Sequence, residues 1–132
     1  MKRVVKFRGK DRISGEMVFG DLIHGVDFKK GNYYILPNTK NLAYVKNCDP
    51  LDGVLVEPES VGQYTGLKDK NGVEIYKGDI IECDGERYEV FWCDDMLSWQ
   101  CISKDDCLAL HEFKGDAFII GNLHTNPELL EQ

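Results

Sequence analysis

Hydrophobic residues in this chain come in short runs that alternate with polar ones, a period near two that predicts strands rather than helices. At the start, Val4, Val5 and Phe7 are interleaved with Lys2, Arg3, Lys6 and Arg8. Such a strand can lay its cationic stems over apolar neighbours and keep the charged heads in water. Residues 9–15 read as a hairpin or a loop, and residues 16–24 as a returning strand interrupted at Gly20. A two-stranded ribbon is only marginally stable by itself, so it is expected to dock on the rest of the chain or on a partner. Residues 32–37 carry Tyr33, Tyr34 and Ile35 and end at Pro37, a strand signal, with a turn at residues 28–32 before it. Residues 42–45 form a weaker strand pattern and residues 53–58 a clearer one, with Val54 and Val56 on one face. The first sixty residues contain no helical stripe.

Residues 61–81 are the most heavily punctuated part of the chain, with Gly62, Gly66, Gly72 and Gly78 set between Tyr64, Leu67, Ile75 and Tyr76. Residues 64–73 read as a turn region, with Asn71-Gly72 where positive φ is easiest, and Lys77-Gly78 reads as a second turn that delivers Ile80 and Ile81 into a strand. Thr65 and Asp79, short oxygens beside tight turns, are expected to bond local backbone groups. Asp84-Gly85 is the strongest hairpin signal, joining residues 79–83 to residues 86–92, where Tyr88, Val90 and Trp92 alternate with Arg87, Glu89 and Phe91. Further strands are predicted over residues 97–102, 107–113 and 117–124, with polar corners between them. Only residues 126–131 look helical: Asn126 can cap, Pro127 suits the first turn and Glu128 favours the dipole. The core is predicted to contain Tyr64, Leu67, Ile75, Tyr76, Ile80, Val90, Trp92, Trp99, Ile102, Leu108, Phe118, Ile120 and Leu123.

Many short strands with glycine-rich corners point to a mainly β protein: a basic N-terminal ribbon and meander over residues 1–60, then a small barrel with a short C-terminal helix over residues 61–132. Composition adds that the chain is ordinary for a soluble protein, at 42% hydrophobic and 30% charged residues. No run of about eighteen apolar residues and no signal-peptide pattern is present, so the expected location is the cytoplasm, away from membranes. Five cysteines at irregular spacing argue for reduced thiols over a disulfide framework.

The net charge of -7 conceals an asymmetry. Residues 1–46 hold ten Lys or Arg against four Asp or Glu, and residues 47–132 hold six against nineteen. The larger, acidic part would repel phosphate, whereas the basic front is suited to a polyanion or to the acidic half of another copy. Lys2, Arg3, Lys6, Arg8, Lys10 and Arg12, near Phe7, are the candidate contact residues for nucleic acid or a protein partner, with Lys68, Lys70 and Lys77 able to extend them. The competing reading is a set of solvated cationic edges. No paired C-x2-C or H-x3-H spacing suggests zinc, no Gly-x-Gly-x-x-Gly feeds a helix, and Asp94, Asp95, Asp105 and Asp106 sit on short polar turns that normally face solvent. No nucleophile, base and oxyanion donor come together, so no enzyme activity, cofactor or metal is expected.

Several segments together resemble the YopX family of phage and prophage proteins: residues 6–10, residues 15–22, the block at 61–81 and the ending at 120–130. Met17 and Phe19 stand where relatives carry tryptophan or tyrosine, and residues 58–61 depart from the Pro-x-Thr-Val wording of the family. The resemblance implies a small β-rich protein with an SH3-like barrel that self-associates, comes from a mobile element and has no assigned activity. The expected function is therefore that of a non-enzymatic accessory or assembly protein acting through contacts with itself or with a phage or host protein. Nucleic-acid binding by the basic ribbon and a small enzyme with an unrecognised site are the alternatives.

Overall fold

A computed structural model describes residues 5–24, 32–37, 53–104, 106–113 and 115–130. They divide into two compact units, residues 5–63 and residues 64–130. No helix of the described residues is long and apolar enough to cross a membrane.

In the first unit, strands β1 (Phe7–Lys10), β2 (Met17–His24), β3 (Tyr33–Pro37) and β4 (Val54–Val56) form an antiparallel sheet in the order β4-β3-β2-β1. Gly62 and Gln63, the first residues of β5 (Gly62–Lys68), add to its β1 side. The sequence predicts a break at Gly20, but β2 runs through it unbroken because this buried residue is a ladder partner of both Phe7 and Pro37. Leu22, Ile35 and Val54 lie opposite one another along the ladder and so share a face, on which Ile35 is fully buried. Val56 is buried against Gly9, where a Cβ would come within 2.8 Å of the valine side chain, so only glycine leaves room. Past the end of β1 a single bridge joins Asp11 to Val56, with hydrogen bonds from the Arg12 amide to the Leu55 carbonyl (3.1 Å) and from the Glu57 amide to the Lys10 carbonyl (2.9 Å). A 3-10 turn, Pro58–Ser60, locks this corner: the Ser60 hydroxyl donates to the Glu57 carbonyl (2.6 Å) and accepts from the Lys10 amide (2.7 Å). The predicted strand at residues 42–45 and most of the predicted turn at residues 28–32 lie outside the described residues.

The second unit begins with the remainder of β5 paired to β6 (Glu74–Tyr76). The sequence predicts a turn over residues 64–73, but the strand continues to Lys68, with a shift of register between Tyr64 and Lys68 that Gly66 accommodates at φ +88°. Strands β7 (Asp79–Cys83), β8 (Glu86–Cys93), β9 (Ser98–Ile102), β10 (Cys107–Ala109) and β11 (Phe118–Asn122) form an antiparallel sheet in the order β10-β9-β8-β7-β11. Asp84 and Gly85 make the hairpin turn predicted for them, both at positive φ. On one face of the sheet Ile81, Tyr88, Val90 and Cys101 gather with Ile75, Leu110 and Ala117 into the core.

Three further expectations are overturned. Among the described residues no sheet closes into the SH3-like barrel: β10 and β11 remain separate margins of an open sheet. The physical cause is at Leu110, where β10 stops after three residues and the chain enters a 3-10 turn, Leu110–Phe113, that sends the leucine into the core. The C-terminal segment is a single 3-10 turn, Pro127–Leu130, and the described residues contain no α-helix. Four residues are too few to recover the cost of nucleating a longer helix, and the Asn126 side chain bonds back to the Asn122 amide (3.4 Å). Finally, Leu67 (38%), Trp92 (39%) and Ile102 (45%) are exposed rather than buried in the core.

Candidate interaction surface

Of the six basic candidates, the four among the described residues are not gathered into one exposed row. Lys2 and Arg3 lie outside the described residues. Lys6 and Lys10 are half-buried, while Arg8, opposite Phe19 in the ladder, is only 5% exposed. Arg12 is exposed, in the turn between β1 and β2. Lys68, Lys70 and Lys77 are exposed in the second unit.

The turn that carries Arg12 is ordered by short-range bonds. The Asp11 carboxylate accepts from the Ile13 amide (2.8 Å) and the Ser14 amide (3.4 Å), while the Gly15 amide donates to the Asp11 carbonyl (2.9 Å). The bond from the Ile13 amide holds the Asp11 carboxyl below its ordinary range. At the tip of this turn Ile13 is 96% exposed. Sequence reading takes Ile13 as an incidental loop residue, and the signal that singles it out is its apolar character among Asp11, Arg12, Ser14 and Gly15.

The second unit has a groove of about 520 Å³ on the side of the sheet away from the core. Its position follows from register: Glu89 lies between Ile80 and Ile102 in the ladder, and Glu82 lies opposite Arg87, so these side chains share one face. The groove is lined there by Glu82, Glu86, Arg87, Glu89 and Ile102, with Ser103 and Lys104 at one end. The 3-10 tail borders the other side through Leu129 and Leu130. Arg87 fixes the tail by donating from Nη1 to the Leu129 carbonyl (3.0 Å), and its Nε lies 3.8 Å from Glu82. Close docking of the tail requires Gly121, where a Cβ would meet Asn126 and Leu129 within 2.8 Å. Ser103 donates to Glu86 (2.9 Å), which steadies that carboxylate at the mouth. A second cavity of about 160 Å³ lies among Leu67, Ile75, Leu110, Phe113 and Ala117, with Lys68 and His111 also in its lining.

The glycine-rich block proves to be a set of turn fasteners. Thr65 donates to the Ile75 carbonyl (2.8 Å) and accepts from the Leu67 amide (3.2 Å), and Asp79 accepts from the Tyr76 amide (2.8 Å). Asp69, which sequence reading passes over, accepts from the amides of Asn71 (2.8 Å), Val73 (2.9 Å) and Ile119 (3.0 Å). It thereby ties its own turn to β11.

Among the described residues the groups with reactive chemistry stay dispersed. Cys83, Cys93, Cys101 and Cys107 are free thiols. Burial, reinforced by Cys107, pushes the Cys101 thiol up to about 12, and burial with the Asp84 charge raises that of Cys83. Such thiols are poorly ionised near neutrality. Asp94, Asp95 and Asp106 face solvent, while Asp105 and Cys48 lie outside the described residues. Among the described residues no group of three or more His, Cys, Asp or Glu could hold a metal ion.

A family model described as YopX protein matches residues 6–131. The crystal structure of protein EF1440 from Enterococcus faecalis is similar, with a TM-score of 0.58 and 25% sequence identity over 98% of this chain and 99% of that one. Among curated proteins none matches.

Proposed function

Because this chain belongs to the YopX protein family, we propose that it is a non-enzymatic accessory or assembly protein of phage or prophage type that works through protein contacts. The observation that carries this reading is the uneven charge. Residues 64–132 hold six Lys or Arg against fifteen Asp or Glu, whereas residues 5–13 hold four Lys or Arg against Asp11 alone. Opposite potentials on two parts of one chain steer copies together and fix their register. Surface groups supply this contact, and the titratable side chains of the core stabilise the fold instead of performing a reaction. The four free thiols among the described residues suit a reducing compartment such as the cytoplasm.

The nucleic-acid alternative has less to draw on. Arg8, within β1, is buried, so among the described residues of the front the fully exposed basic candidate is Arg12. Sedimentation over a concentration series at low and moderate salt tests the proposal. Self-association that weakens as salt rises supports it; a monomer at every micromolar concentration and both salts contradicts it. Titration with labelled single- and double-stranded DNA and RNA at low salt decides the alternative, and absence of binding there removes it.

A further inference from the structure

We infer that the turn between β1 and β2 of one copy seats in the groove over β7, β8 and β9 of a second copy, with Ile13 as its apolar anchor and Arg12 as its charged one. This rests on the reading of the chain as a self-associating protein, and it assigns the two surfaces that meet.

The tip has the properties of a preorganised anchor. Asp11 binds the Ile13 and Ser14 amides, so the turn is ordered before any contact forms, and little conformational freedom remains to be lost on docking. Its apolar side chain is 96% exposed, so contact with an apolar surface would remove it from water. Arg12 stands beside it, exposed, with Lys10 two residues before.

The groove offers the complementary chemistry. At about 520 Å³ it exceeds the bulk of one isoleucine side chain and has room for a turn tip. Ile102, Leu129 and Leu130 contribute apolar lining, and Glu82, Glu86 and Glu89 outnumber the cations Arg87 and Lys104 there, so the lining is net negative. Arg87 is already engaged by Glu82 and the tail carbonyl. An aliphatic anchor next to a guanidinium matches apolar lining among carboxylates, and the guanidinium can take a carboxylate in a two-pronged bond. Tip and groove are different surfaces, so two copies can exchange tips reciprocally, or the contact can pass from copy to copy round a ring.

The test uses the full chain, with association measured by sedimentation at low salt. Ile13→Asp and Arg12→Glu are expected to fold normally, because both side chains are exposed, and to weaken association by about tenfold or more. Ile102→Asp and Glu89→Arg are expected to do the same from the groove side. The decisive step is a mixture of the Arg12→Glu and Glu89→Arg chains, in which reversed charges face each other again. Recovery of at least part of the lost affinity in the mixture, with each variant weak alone, supports the assignment. If the tip variants weaken association while both groove variants associate like the parent, the groove assignment is overturned and the self-association reading stands. If tip variants associate like the parent, the tip is overturned as the anchor. A parent chain that is monomeric throughout overturns the reading and this inference together.

Discussion

Residues 5–63 and residues 64–130 both build antiparallel sheets, yet they hold them together differently. Among the described residues, the hydrophobic side chains buried in the first unit are Ile35 and Val56, and its corner depends on close backbone approach at Gly9 and on the Ser60 bonds. The second buries Ile75, Ile81, Tyr88, Val90, Cys101, Leu110 and Ala117 as one cluster and fastens its turns with Thr65, Asp69 and Asp79. The surfaces differ as well. Residues 5–63 hold eight Lys or Arg against eight Asp or Glu, so the basic character of the front resides in its first strand and turn, not in the unit as a whole. The acidic excess belongs to the second unit. Local placement of charge, more than the total of either half, sets where a contact can form.

The largest effect should come from the cluster of the second unit. Ile81→Ala is expected to cost about 2 to 5 kcal/mol, since a fully buried side chain leaves a cavity that a sheet closes poorly. Both tryptophans lie in this unit, so their fluorescence in a urea titration reads the loss directly. In the first unit the sensitive point is crowding. Gly9→Ala places a methyl within 2.8 Å of Val56 and is expected to cost about 1 to 3 kcal/mol, seen as faster hydrogen exchange of β1 and β2 amides. Val56→Ala should cost less in the Gly9→Ala background than in the parent; equal costs in the two backgrounds would mean that Gly9 is not kept small by Val56.

Cys101 gives the second unit a dependence on alkaline pH. The fold keeps this thiol protonated up to about 12, whereas the unfolded chain ionises it near 9. Its contribution is therefore constant below about pH 9 and is lost above it by about 1.4 kcal/mol per pH unit. Cys101→Ala should show a flatter decline between pH 8.5 and 10 than the parent, and equal slopes would contradict the assignment. The smallest effect is predicted for Trp92→Ala. This side chain is partly exposed and packs edge-on against Trp99 with ring centres 5.2 Å apart, so its removal forfeits a ring pair worth about 0.5 to 1.5 kcal/mol and only part of the indole's burial, and should cost less than Ile81→Ala.

The contrast between Ile81 and Trp92 also shows how far the sequence could be read. Alternation in residues 86–92 correctly placed Tyr88, Val90 and Trp92 on one face, and Asp84-Gly85 marked their hairpin to the residue. Period two tells which side chains share a face but not whether that face is covered along its whole length, so Trp92 at the end of β8 escapes the core. Ile102 was misplaced because its face carries Glu89 and holds the groove. Barrel closure was illegible for a related cause: it depends on whether two distant margins meet, and the turn at Leu110 ends β10 before they do. Asp69 looked like one more acid in a polar loop because its most distant partner, the Ile119 amide, lies fifty positions along the chain. The basic residues of the front were legible as a group, but the burial of Arg8 and the prominence of Ile13 follow from the ladder and the Asp11 turn.

The most direct measurement of the contact between the two kinds of surface is photo-crosslinking from the tip. A photoreactive residue replaces Ile13 in one batch of protein, which is mixed at low salt with a heavy-isotope batch of the parent chain and irradiated, and the joined peptides are identified by mass. The account predicts light-to-heavy links from position 13 to peptides containing Glu86, Glu89, Ile102 or Leu129, fewer at moderate salt. Links that fall only within residues 5–63, or no light-to-heavy links at all, would contradict it.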